Sequence, residues 1–402
     1  MPMPNRGGPL AGIRVLELSK VWAGPYAGKI LAHLGAEVIK IESAANLDEM
    51  RAYGGVDINS APYFLSINQE ILSVQVNMKT DEGLDLVHQM AARSDIFIDN
   101  IRPGALERSR LNYDELRKIK PDIIQCSIKM WGTDGPLGYQ TGYAPCFAAL
   151  SGLTNLVGYE GETPEGMNIR YGDSTVGALA ALACIAALHH REATGEGQFI
   201  DHSAVESMTS LVGDSLFAYS VTGEVPQSDG NFHPEICPHG AYPCADQEWI
   251  SIACAMDTEW MALSRMLGAE ALAAEPRFAG LAQRFANRRE LDAELGRLTA
   301  QHNAATLAEQ LRHAGVPAFR SQSSIDLCGD DYLWGRTAFR MVSDHTNGAR
   351  PIIGPSWRME PDMAKVERGA PLLGEHNDYV YREILGLEQD RLDDLIARKV
   401  VD

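Results

Sequence analysis

One carboxylate, Asp173, stands just ahead of Ser174, Thr175 and then thirteen residues, Val176 to Leu188, whose only polar side chain is the Cys184 thiol. A carboxylate at the edge of so apolar a stretch suits two kinds of chemistry. As a helix N-cap it accepts hydrogen bonds from backbone N–H groups and complements the helix dipole, which is worth about 1 kcal/mol. As a nucleophile it is poorly solvated beside a dry region and can attack an acyl group to form a covalent intermediate. The pattern alone leaves both readings open. Other reactive side chains carry less signal. Cys126, Cys146, Cys184, Cys237, Cys244, Cys254 and Cys328 include no C-x-x-C pair, and their odd number reads as reduced thiols rather than a disulfide framework. The histidines contain no H-E-x-x-H, and the adjacent His189 and His190 would point about 100° apart on a helix. No metal site is expected.

The elements that must position Asp173 alternate in type. "GIRVLELSKVWAGPYAGKILAHLGAEVIKIES" reads as a strand over Ile13 to Leu18, a turn at Gly24 and Pro25, a helix ending at Gly35 and a second strand over Glu37 to Ile41. This is a βαβ unit. "LSVQVNM", "TDEGLDLVHQMAARS" and "DIFIDN" repeat the order, followed by "NYDELRKIK" and "DIIQCSI". Such alternation predicts an α/β fold with an open, doubly wound parallel sheet. The turn after the first strand, "SKVWAGPYAG", lacks both G-x-G-x-x-G and G-K-[ST], which disfavours a dinucleotide or P-loop site. From Met130 to Tyr171 the Gly, Pro, Thr and Tyr content predicts long loops over the strand ends. "NFHPEICPHGAYPC" marks the crossing into a second domain, which opens with a hairpin in "GAYPCADQEWISIAC" and continues with helices.

The whole-chain numbers set the class. With 402 residues there is room for two or three domains and a cleft, and a formal charge of -19 disfavours nucleic acid and anionic membrane as partners. The N-terminus has no apolar core of signal-peptide length, and no segment reads as a membrane span. A cytoplasmic protein is expected.

Three separated pieces of the chain resemble the class III CoA-transferases, the family of formyl-CoA transferase and carnitine CoA-transferase, whose racemase relatives share the fold. They are "PLAGIRVLELSKVWAGPYAGKILAHLGAEVIKIE"; "DIFIDNIRPGALER" with "YGDSTVGALAALACIAALHHREATGEGQFID"; and "AGVPAFRSQSSIDLCGDDYLWGR" with "APLLGEHNDYVYREILGL". The resemblance covers nearly the whole chain in order. It implies a large Rossmann-like α/β domain built from both chain ends, residues 1–215 and 341–402, and a smaller α+β domain over 216–340. It also implies an interlocked dimer, of identical or related subunits.

The same resemblance places the family's catalytic aspartate on Asp173 and the coenzyme contacts on Val21, Asn100 and Arg108. Coenzyme A enters as substrate, with no permanently bound cofactor, and the second partner is a carboxylic acid. Without the family, Arg108 reads as a solvated arginine at a helix start and Asn100 as a turn former. Two cations that the family commonly carries are missing: Ser43 follows "VIKIE", and Glu70 and Ile71 stand where N-x-N-K-R-S is often found. The racemase branch uses a histidine ahead of "L-S-G", where this chain has Tyr143, whose phenol is a poor base at neutral pH. Transferase therefore precedes racemase, and a non-catalytic coenzyme-binding subunit of a hetero-oligomer is a third reading. For the acceptor acid, Trp131, Tyr139 and the segment containing His239 suit a bulky or aryl-bearing carboxylate, and they equally suit domain-junction packing. The His239 segment is similar to that of transferases that activate aryl-substituted succinates with succinyl-CoA, such as benzylsuccinate CoA-transferase.

Overall fold

The computed structural model describes residues 5–55, 57–166, 169–344 and 348–401. Apolar runs bounded by Gly, Asn and Asp form β1 (Arg14–Leu18), β2 (Glu37–Glu42), β3 (Leu72–Gln75), β4 (Ile96–Asp99), β5 (Ile124–Lys129) and β6 (Phe199–Ser203). These make one sheet in the order β3-β2-β1-β4-β5-β6, parallel at every pairing. The order reverses between β1 and β4, and ligands of open parallel sheets bind beyond the strand ends at such a reversal.

Helices cover both faces of this sheet. The connections carry α1 (Ala23–His33), α2 (Pro62–Ile67), α3 (Asp81–Ala91), α4 (Ala105–Ser109), α5 (Tyr113–Ile119), α6 (Ala144–Leu150) and α7 (Ile169–Thr194), and α8 (Ala204–Thr209) and α9 (Gly213–Thr222) follow β6. On one face Val15, Val38, Ile98 and Cys126 pack with Leu31 of α1, Ala180 and Cys184 of α7 and Met208 of α8. On the other, Leu16, Ile39, Val74 and Phe97 pack with Val87 of α3, Leu116 of α5 and, from the chain's end, Tyr381 and Leu395. Burial on both faces explains why β1 to β5 carry apolar residues toward both sides, whereas the edge strand β6 is half exposed.

Several sequence expectations are corrected. Gly24 and Pro25 lie in the first turn of α1 rather than in a separate turn, a place where proline's missing N–H costs nothing. The stretch from Met130 to Tyr171 is not all loop: Pro145 opens α6, whose Ala144, Phe147 and Ala148 are buried, and a 3-10 turn spans Leu153–Leu156. The hairpin of β10 (Phe339–Asp344) and β11 (Gly348–Ile353) was not foreseen. Helix α7 is long and apolar enough to cross a membrane by composition, where no such segment was expected. Its Val176, Ala180, Ala181, Cys184 and Ala187 are core residues of the sheet's first face.

The chain divides into two compact units. The large one holds 1–154, 166–226 and 332–402; the small one holds 155–165 and 227–331. The boundaries expected near 216 and 340 thus fall at 227 and 331, and a short piece ahead of α7 joins the small unit. That unit has an antiparallel sheet of β7 (His239–Pro243), β8 (Trp249–Ala253) and β9 (Ala318–Arg320). Tyr242, Ile250, Ile252, Trp260, Leu291 and Leu307 form its core.

Candidate active site

Asp173 lies inside α7, one turn beyond Ile169, so it is not the N-cap of this helix. Its residue is 9% exposed, and among the described residues no side chain or backbone donor hydrogen-bonds its carboxylate. Burial without a partner pushes its pKa up to about 7. A carboxylate in this state is half charged near neutral pH and little solvated when charged, which suits a nucleophile that must attack without first shedding a water shell.

Small residues place α7 this deep. A Cβ on Gly177 would lie 2.5 Å from the Ala23 carbonyl oxygen, and one on Gly172 would lie 2.9 Å from the Phe147 ring. Glycine at both positions lets α7 close on α1 and α6. Two polar links fix its rotation. The Trp22 indole N–H donates to Ser174 Oγ at 3.0 Å, and the His202 ring meets the Val176 carbonyl at 3.1 Å.

Asp173 faces a cavity of about 760 Å³, lined wholly by the large unit, at the carboxyl ends of β1, β4 and β5. Val21, Asn100, Arg108 and Tyr143 line it too, so four residues singled out in the sequence meet the carboxylate there. Val21 sits in the turn after β1 at φ 67°, an outlying conformation for a β-branched residue. Asn100 is occupied in holding that turn: its Oδ1 accepts from the Lys20 N–H at 2.8 Å, and its Nδ2 donates to the Lys20 carbonyl at 2.6 Å. Arg108, exposed in the last turn of α4, has no hydrogen bond or ion pair among the described residues and is available to an anion.

Three other residues singled out lie elsewhere. Tyr139 is 72% exposed and does not line the cavity. Trp131 supports the wall indirectly, its indole donating at 3.0 Å to Gln140, which does line it. His239 belongs to the small unit, on β7, where its Nδ1 meets the Asn231 carbonyl at 2.6 Å. Ser43 is buried, and Glu70 is turned inward. The Glu70 carboxylate pairs with Arg368 at 2.9 Å and Arg6 at 3.3 Å and accepts the Arg368 backbone N–H at 2.8 Å.

Lys20, Arg102 and Lys129 are cavity residues that the sequence reading passed over. Lys129 ends β5 and is nearly buried; its Nζ pairs with Asp99 and donates to the Ile101 carbonyl at 2.8 Å, while Ser127 Oγ donates to Asp99 at 2.5 Å. A signal was present: an acid and a base each close an apolar strand run, and adjacent parallel strands bring such ends together. Arg102 is exposed and, like Arg108, unpaired among the described residues. The cavity therefore offers cations along one rim and a poorly solvated carboxylate within.

Residues 10–377 match the family model of CoA-transferase family III. Succinyl-CoA–D-citramalate CoA-transferase of Chloroflexus aurantiacus is 31% identical, over 98% of this chain and 98% of its own length. Succinyl-CoA:mesaconate CoA-transferase of Haloarcula marismortui is 33% identical, over 92% of this chain and 94% of its own. The crystal structure of a CaiB/BaiF family protein from Brucella suis superposes with a TM-score of 0.88 at 32% identity, covering 94% of this chain and 100% of that one.

Proposed function

The chain belongs to CoA-transferase family III and is a CoA-transferase, and from that premise we propose that Asp173 carries coenzyme A, as an aspartyl thioester, between two carboxylic acids. The observation that carries this reading is a buried carboxylate without a partner among the described residues, facing a cavity rimmed by arginines. The Asp173 carboxylate attacks the donor's thioester carbonyl and expels CoA thiolate, forming a mixed anhydride. The thiolate then attacks the aspartyl carbonyl of that anhydride, releasing the donor acid and leaving an aspartyl-CoA thioester. The acceptor carboxylate displaces the thiolate to form a second anhydride. Thiolate attack on the acceptor's carbonyl then yields the new acyl-CoA and frees Asp173. No step needs a redox group or a metal. Val21 and Arg108, with Arg102 and Lys129, are the groups this reading gives to the coenzyme, a guanidinium being suited to phosphate oxygens.

Succinyl-CoA is the donor in this reading and a small aliphatic dicarboxylate the acceptor, as the names of both relatives suggest. The bulky aryl acceptor expected from the His239 segment draws no support from those names. Tyr143 at the cavity supports transfer over racemisation, since it stands where the racemase branch carries its histidine. The large unit is read as a Rossmann-like domain, on its 3-2-1-4-5-6 strand order. The active form is read as a dimer, identical or mixed, in the cytoplasm. The apolar side chains that α9 leaves exposed, Phe217 at 71% and Val221 at 70%, support association.

The test is to incubate the protein with succinyl-CoA, trap with hydroxylamine and map peptides by mass spectrometry. A hydroxamate at Asp173 is expected, absent from Asp173→Ala. Turnover of new thioesters with Asp173 never modified would refute the covalent route. Exchange of the α-proton with solvent deuterium without acyl transfer would favour a racemase.

A further inference from the structure

Beneath the turn from Ser19 to Trp22 lies a group of buried charges that takes no part in the chemistry above. Lys40, in the middle of β2, has a wholly buried side chain; its Nζ donates to Glu17 Oε1 at 2.9 Å and to the Ser19 carbonyl at 2.8 Å, and lies 3.0 Å from Asp48 Oδ2. Asp48 is buried in turn, and its Oδ1 accepts the backbone N–H groups of Val21 at 2.9 Å and Met50 at 3.0 Å. Its own N–H donates to Glu42 at 3.1 Å, and Glu42 is paired with the buried Arg51 at 2.7 Å.

A lysine buried in a sheet is costly unless its partners compensate it fully, and here the partners converge on one turn. Lys40 holds the Ser19 carbonyl, Asn100 holds both backbone groups of Lys20, Asp48 holds the Val21 N–H, and Trp22 reaches Ser174 beside Asp173. Val21, at φ 67°, is the strained member. A β-branched residue leaves that region unless its neighbours over-determine it.

We propose that Asp48, anchored by Lys40, is a positioning residue that keeps Val21 in the left-handed conformation and so fixes the coenzyme-facing rim of the cavity relative to the nucleophile's helix. The proposal rests on the assignment of this cavity to coenzyme A. Glycine adopts positive φ without strain, so it makes the hold on position 21 unnecessary. Rescue by glycine is what separates this role from a merely structural one.

The experiment compares wild type, Asp48→Ala, Val21→Gly and the double variant, all as full chains. It reads kcat and KM for succinyl-CoA, Kd for free coenzyme A, and hydrogen exchange of the peptide spanning Ser19–Trp22. Asp48→Ala removes the acceptor of the Val21 and Met50 N–H groups and one partner of Lys40; release of the Val21 turn should raise KM and Kd about tenfold while kcat falls less than about threefold. Exchange of the turn should quicken. In the double variant both constants should return to within about threefold of Val21→Gly, while exchange stays quick because the N–H at position 21 still lacks its acceptor. Equal losses in Asp48→Ala and the double variant, or a fall in kcat at unchanged KM, would overturn the proposal. If Asp48→Ala does not fold, Asp48→Asn takes its place: it keeps only a neutral oxygen for the Val21 N–H, so a smaller rise in KM and Kd with quicker exchange of the turn is expected, and Val21→Gly should again restore both constants. A wild type that binds no coenzyme A would sink the functional reading instead, and the exchange data would still decide whether Asp48 holds the turn.

Discussion

Asp173 is costly to keep charged. A carboxyl whose pKa rises from 3.8 to about 7 on folding loses on the order of 4 kcal/mol of stability when it is ionised. Between those two values the folded state binds more protons than the unfolded one, so this contribution to stability declines as pH rises and levels off above 7. Asp173→Asn should therefore raise the thermal midpoint relative to wild type more at pH 8 than at pH 5, while abolishing transfer at both. In the wild type, attack needs the ionised form, so kcat/KM should fall about tenfold per unit as pH drops below 7. A profile flat from pH 8 to pH 5.5 would mean that another group limits the reaction. Asp173 was legible as a candidate because an acid abutting an apolar helix is conspicuous. Its place inside the helix was not, since pattern cannot separate an N-cap from the next turn.

Helix α7 works as a positioning element through its small residues. Gly177 has no room for a methyl against the Ala23 carbonyl, so Gly177→Ala must push α7 away from α1. Overpacking of this kind costs about 1–3 kcal/mol. The expected result is a lower denaturant midpoint together with a fall in kcat larger than the rise in KM, because the nucleophile moves while the coenzyme rim stays. Unchanged stability would mean that the two helices can separate freely. The parallel strands and their helices were readable from alternation alone. Helix α6 and the hairpin of β10 and β11 were not, because short elements held by tertiary contacts leave little periodicity in the sequence.

At the scale of the molecule the two chain ends are tied to one sheet edge. Glu70, just before β3, binds Arg6 from the N-terminal segment and Arg368 from the C-terminal one, with its side chain wholly buried. Glu70→Lys would supply a cation that the family resemblance leads one to expect. It should instead destabilise the fold by about 3–5 kcal/mol, since it leaves two arginines facing a buried lysine. Denaturant unfolding measures this, and tighter coenzyme binding at unchanged stability would contradict it. Association belongs to the same scale. Phe217→Asp on α9 should shift light-scattering mass toward the monomer and remove activity, whereas an active monomer would refute the dimer.

By itself the sequence determined the parallel α/β frame, the family and the candidate nucleophile, because alternating periodicity and an acid beside an apolar helix are local patterns. Only the tertiary structure decided which side chains share the cavity. Lys129 and Asp99 become a pair because adjacent strands end together, and Asn100 turns out to be occupied with Lys20. Tyr139 is left in solvent, and Glu70, which stands where a coenzyme-binding cation was expected, holds the fold together instead. These outcomes depend on contacts between residues tens to hundreds of positions apart. No local pattern encodes them, because the cost of burying a charge is set by which partners the completed fold brings within reach.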